Sequence, residues 1–114
     1  MGSFALTRNS CEVTGTLTLN SMTEEPKGGE MSPENIVLTV MPKAGGSSQT
    51  IDLVFESSGG SGGTTNYTFK ADLTELDVSG DYRLSATGEY YTKTPGANSD
   101  SLSNQTLSCG MGGP

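Results

Sequence analysis

The sequence predicts an all-β domain of about six or seven strands. Apolar residues recur at every second position over several segments, and Gly- and Pro-rich stretches punctuate them. No segment shows the i, i+3, i+4 spacing of a helix. Nor is there a repeat at the 20–50-residue period of solenoids or propellers.

Phe4-Ala5-Leu6 reads as a short opening strand. From Cys11 to Asn20 the alternation is strict: Cys11, Val13, Gly15, Leu17 and Leu19 share one face, and Glu12 and the Thr residues share the other. Ser21 to Asn35 holds Pro26, Gly28, Gly29 and Pro33 among acidic residues and predicts a long loop. Ile36 to Met41 is a short, β-branched apolar run ending at Pro42, as a central strand does. After a Gly45-Gly46-Ser47-Ser48 turn, Ile51, Leu53 and Phe55 alternate with Asp52, Val54 and Glu56, which makes a hairpin with the preceding strand.

Ser57 to Thr65 has the composition of a flexible loop. Tyr67, Phe69, Ala71 and Leu73 then mark another strand. The longest clean alternation follows Gly80, with Tyr82, Leu84, Ala86, Gly88 and Tyr90 on one face. A turn is expected over Pro95 to Ser101, and a last strand over Leu102 to Cys109. Leu102 is out of step with Leu107 and Cys109, so a bulge is expected there.

The 114 residues suit one domain. Sixteen of them are glycine, so few side chains supply the core and a covalent staple has much to add. A net charge of −7 disfavours nucleic-acid and anionic-lipid partners, and an acidic surface explains it by solubility alone. No stretch approaches a membrane-spanning helix, so no membrane insertion is expected. Met1-Gly2-Ser3 has neither the charged nor the apolar region of a signal peptide and reads as a remnant foreign to the domain, and residues 110–114 read as a flexible tail. Leu6 stands where a myristoylation signal needs Ser or Thr.

Two short motifs carry a family resemblance. Val13-Thr14-Gly15-Thr16-Leu17, and Leu76 followed by Gly80-Asp81-Tyr82-Arg83-Leu84, resemble the opening and closing signatures of prealbumin-like modules, meaning carboxypeptidase-regulatory-like and Cna B-type domains. The resemblance covers most of residues 11–91 and implies an immunoglobulin-like β-sandwich of about seven antiparallel strands. The absence of Trp sets the chain apart from antibody-type domains and favours the prealbumin-like group. Cna B-type domains often join first and last strands by a Lys–Asn isopeptide, but the first strands here hold Arg8 and no Lys.

The first and last strands of such folds lie side by side, which points to a Cys11–Cys109 disulfide. The chain-entropy model gives so long a loop about 4–5 kcal/mol. Two free thiols are the alternative. A disulfide carries the expectation of an extracellular or cell-surface location.

The chain has no histidine, which removes His-based triads, His-ligated zinc and imidazole switches. No catalytic residue, metal centre or cofactor is therefore expected. Glu24, Glu25, Glu30 and Glu34 crowd one loop and read as solvated charge. Asp77, Asp81, Asn98 and Asp100 fall in predicted turns and form a calcium candidate, although their spacing matches no calcium loop; Asp77 and Asp81 also suit turn formation. Tyr82 is expected in the core with its hydroxyl bonded to backbone. Tyr90 and Tyr91 point to opposite faces of a strand, so one of them is a candidate ligand contact. Asn9, Asn66 and Asn104 begin tripeptides of N-glycosylation type.

These features favour a non-catalytic extracellular module, a spacer, adhesion unit or assembly building block whose partners are other protein domains or surface glycans. The rivals are a carbohydrate- or protein-ligand-binding module and a virion or filament subunit in which Phe4 to Arg8 pairs with a neighbouring chain. The oligomeric state stays open.

Overall fold

The computed structural model describes residues 2–110. Eight strands follow one another: β1 (Ser3–Asn9), β2 (Glu12–Asn20), β3 (Glu25–Pro26), β4 (Ile36–Pro42), β5 (Gln49–Gly59), β6 (Thr64–Asp72), β7 (Val78–Tyr91) and β8 (Pro95–Cys109). A 3-10 turn, Leu73–Glu75, separates β6 from β7. Its start is capped by Asp72, whose carboxylate accepts from the Thr74 backbone N–H at 3.0 Å.

The strands pair antiparallel in the order β1-β2-β6-β5-β4-β7, with β8 and the two-residue β3 both on β7. β5 belongs to two ladders. Its first part, Gln49 to Leu53, pairs with β4, and from Val54 onward it pairs with β6 across a register shift between Phe55 and Ser57. That bulge turns the corner. At the far end β8 comes back beside β1, so the antiparallel sheet forms a nearly closed barrel. The β7–β8 hairpin, the longest pair, runs along a molecule of 45 × 23 × 21 Å.

Alternation sends one side of every long strand inward. Val13, Leu17, Leu38, Val40, Leu53, Phe69, Leu73 and Leu84 are sealed from solvent and form the centre of the core. The outward partners on β2 are threonines, whose branched side chains suit a solvated strand face. Prolines sit where a missing N–H does least harm: Pro26 and Pro42 end β3 and β4, and Pro95 begins β8. Tyr82 is buried, and its hydroxyl accepts from the Ser79 N–H at 3.2 Å.

Several sequence expectations need correction. Pro95 to Ser101 is strand, paired from Tyr91↔Pro95 to Ser85↔Ser101, and the reversal lies just before it. There Thr92 N–H donates to Thr94 O at 3.0 Å, so the hairpin closes tightly and the polar residues after Pro95 remain available for the ladder. The Gly/Ser-rich loop is also shorter than expected, because Ser57, Ser58 and Gly59 pair with Thr68, Tyr67 and Asn66. Cys11 lies in the two-residue turn between β1 and β2, beside Ser10 at φ 56°, and not on β2 itself. Ser3, at the end of the segment read as foreign to the domain, begins β1 and pairs with Thr18. Of the expected tail, residues 111–114 lie outside the described residues.

The bulge signalled by Leu102 is present. Tyr82 pairs with Gln105 and Leu84 with Leu102, which leaves Ser103 and Asn104 opposite Arg83, with Asn104 at φ 57°. The one extra residue flips the parity of β8, so that Leu102, Asp100 and Asn98 take over the half-buried side of the strand after Gln105, Leu107 and Cys109.

Candidate functional site

The feature that sets this barrel apart is its seam. No strand pairing joins β1 to β8 among the described residues; side chains of β8 bridge the two edges instead. The Asp100 carboxylate accepts from the Leu6 N–H at 2.8 Å, Asn98 Nδ2 donates to the Gly2 carbonyl at 2.7 Å, and Gln105 Oε1 accepts from Arg8 Nε at 2.7 Å. Three polar residues thus satisfy an edge that would otherwise need a ladder. At one end the seam is covalent. Cys11 and Cys109 form a disulfide with Cα atoms 6.0 Å apart, well inside the ordinary range.

β1 is seated by shape as well as by bonds. Phe4 and Leu6 are buried, and the Phe4 ring occupies space left by two glycines. A Cβ built on Gly15 of β2 would lie 2.9 Å from Phe4 Cζ, and one on Gly88 of β7 would lie 2.9 Å from Phe4 Cδ1. Neither position could carry a side chain without moving the ring.

Concavities also lie away from the seam. One, of about 430 Å³, opens where β7 passes from β4 to β3, because the ladder with β4 stops at Ala86 and that with β3 begins at Tyr90. Its floor is Leu17, Phe69 and Ile36, and its rim carries Lys27 between Glu89 at 3.2 Å and Glu34 at 3.7 Å. The Glu89 hydrogen bond and charge, then the Glu34 charge, hold the Lys27 ammonium above the ordinary lysine range.

Another concavity, about 470 Å³, lies over β2, β6 and β5 among Glu12, Asp52, Glu56, Asp72 and Glu75. Lys70 stands among them, 3.4 Å from Glu56 and 3.6 Å from Glu12. The Glu56 hydrogen bond and then the Glu12 charge raise its affinity for the proton. Asp72 is held below the ordinary carboxyl range by the Thr74 hydroxyl and N–H. Among the described residues no group of three or more acidic or Cys side chains is arranged to hold a metal.

The calcium candidates are not brought together. Asp81 pairs with Thr106 and takes its hydroxyl at 2.7 Å, whereas Asp100 pairs with Ala86 and Asn98 with Gly88, five or more residues along β7. Asp77 lies at the turn before β7, where its carbonyl accepts from Gln49 Nε2 at 3.1 Å. Asn98 and Asp100 are seam residues. Sequence reasoning placed them in a turn; the available signal was Leu102, whose slipped parity puts it in line with Asp100 and Asn98.

Tyr90 is buried over Gly96, its cross-strand partner, and only Tyr91 is open to solvent, at 39% exposure. The pair therefore offers one aromatic contact. Of the loop glutamates, Glu25, Glu30 and Glu34 are exposed, but Glu24 is buried and accepts from the Asn20 N–H at 2.7 Å, so it ties the loop to the end of β2. Asn9, Asn66 and Asn104 are all on the surface. No helix among the described residues is long and apolar enough to cross a membrane.

Comparison with protein-family models, curated proteins and solved structures finds no match to the chain.

Proposed function

We propose that this chain is a non-catalytic, load-bearing β module of an extracellular or cell-surface assembly, built on the prealbumin-like variant of the immunoglobulin-like sandwich. The sandwich reading is supported by the corner in β5, which divides the barrel into a β1-β2-β6-β5 half and a β5-β4-β7-β8 half. A disulfide is compatible with an oxidising compartment.

The observation that carries the reading is the position of the Cys11–Cys109 bond in the path of force. Tension applied at the two chain ends enters through β1, crosses the disulfide and leaves after Cys109. The intervening chain, a sequence separation of 98, is bypassed. Pulling can then detach β1 but cannot unravel the barrel, and a module with this wiring keeps its length in a tandem array.

Single-molecule extension from both ends tests it. The oxidised domain should free at most the ten residues ahead of Cys11, a contour of roughly 35 Å at ~3.5 Å per residue that β1 already spans for the most part as an extended strand. Reduced protein should release roughly 340 Å more at the same length per residue. Long extensions of equal size with and without reductant would overturn the reading. In solution, losing the bridge should cost about 4–5 kcal/mol of stability in a denaturant titration.

A further inference from the structure

We infer that the groove filled by β1 is an acceptor site for an extended strand supplied in trans, and that its occupant is β1 of a second copy of this chain. Four observations converge. β1 is bonded by a backbone ladder on one side only, to β2, while its β8 side is held by the side chains of Asn98, Asp100 and Gln105. Its two buried side chains, Phe4 and Leu6, alternate with exposed Ser3, Ala5 and Thr7, so the groove reads a short Phe-x-Leu pattern.

The Phe4 seat is specific: the space exists because Gly15 and Gly88 lack side chains. A hinge and an anchor also adjoin each other. Ser10 holds a left-handed φ of 56° in the turn, a conformation that costs a non-Gly residue free energy, and Cys11 fixes the rest of the barrel immediately beyond it. β1 can therefore swing out without breaking the disulfide or any other ladder.

Exchange between identical chains replaces each contact by its equal, which makes swapping thermodynamically cheap, and opening the turn releases the strain at Ser10. Main-chain hydrogen bonds to β2 supply affinity and the Phe and Leu seats supply specificity, as in strand addition generally. The β1 in cis competes at high effective concentration, so the exchanged form belongs to crowded arrays or to molecules whose β1 has been drawn out. Strand exchange needs no tension and is read by binding, whereas load bearing is read by extension, so the two readings fail separately.

The test uses the oxidised full chain carrying Phe4→Ala, which empties the seat in cis, and a fluorescent capped peptide of Ser3 to Asn9. The wild-type peptide should bind saturably, and a peptide with Phe4→Ala should bind at least about tenfold more weakly. Adding Gly88→Ala to the chain should abolish the preference. Equal binding of the two peptides, or none to the folded variant, overturns the inference.

Removal of Phe4 can itself unfold the chain, so native mass spectrometry of the wild-type protein gives an independent decision. A dimer growing in with concentration, each chain retaining its own Cys11–Cys109 bridge and exchanging subunits with isotope-labelled protein, is the expected result. A strictly monomeric protein at millimolar concentration overturns it.

Discussion

Gly88 shows how far a single missing side chain can set the architecture. It lies on the inward face of β7, opposite Asn98, with ordinary extended backbone, so nothing local requires glycine. The requirement is spatial: Phe4 from the other end of the chain packs where a Cβ would stand. Gly88→Ala should displace the Phe4 ring and, as overpacking does, cost about 1–3 kcal/mol in a chemical denaturation curve. An unchanged midpoint would mean that Phe4 is not held between Gly15 and Gly88. Gly96 makes the same point from the other partner's side, since the Tyr90 ring lies across it and uses the space for burial.

At the scale of the element, β8 carries two duties, core and edge, along one side. Leu107 and Cys109 lie in the core and Leu102 packs against it, whereas Gln105 on one side of the bulge at Ser103 and Asn104, and Asp100 and Asn98 on the other, serve the β1 edge. Asp100 is the member of that edge that meets β1 backbone directly through an N–H. Asp100→Ala should leave the Leu6 N–H without its acceptor and cost about 1–3 kcal/mol. The sharper readout is hydrogen exchange. Leu6 should exchange much faster in the variant while amides of β4 change little, and Asp100→Asn, which keeps an acceptor oxygen, should restore much of the protection. Uniform loss of protection over all strands would show that the seam does not act locally.

At the scale of the whole molecule, the resolved proton affinities define where the barrel is stable. Asp72 is lowered in the folded state, so its contribution is present above the ordinary carboxyl pKa of about 4 and is lost as pH falls through the lower folded value. Lys27 and Lys70 are raised, so theirs is complete below the ordinary lysine pKa of about 10.4 and disappears as pH rises past it. Tyr67 is raised too, first by burial and then by the charges of Glu30 and Glu25. Its neutral form therefore favours folding, and alkali opposes it above the ordinary tyrosine pKa of about 10. Thermal melts should be flat through neutral pH and fall on both sides. Tyr67→Phe should flatten part of the alkaline limb, and an alkaline limb identical to wild type would remove Tyr67 as a contributor.

The strands were legible because their determinant is local. Val13 to Leu19, Tyr67 to Leu73 and Tyr82 to Tyr90 alternate in the chain as they do in space, and burial of one sheet face follows directly from a period of two. The disulfide partners were legible because the described chain holds just two cysteines, near its ends. The side chains that close the seam were not legible. Whether Asn98 and Asp100 are turn residues or edge ligands depends on the strand lying beside them, and that strand, β1, is more than 90 residues away in sequence. The split of β5 between two ladders, the glycine seat for Phe4 and the cleft beside Lys27 have the same origin. Each is decided by which strands meet, and sequence alternation fixes the face of a residue without naming its neighbour.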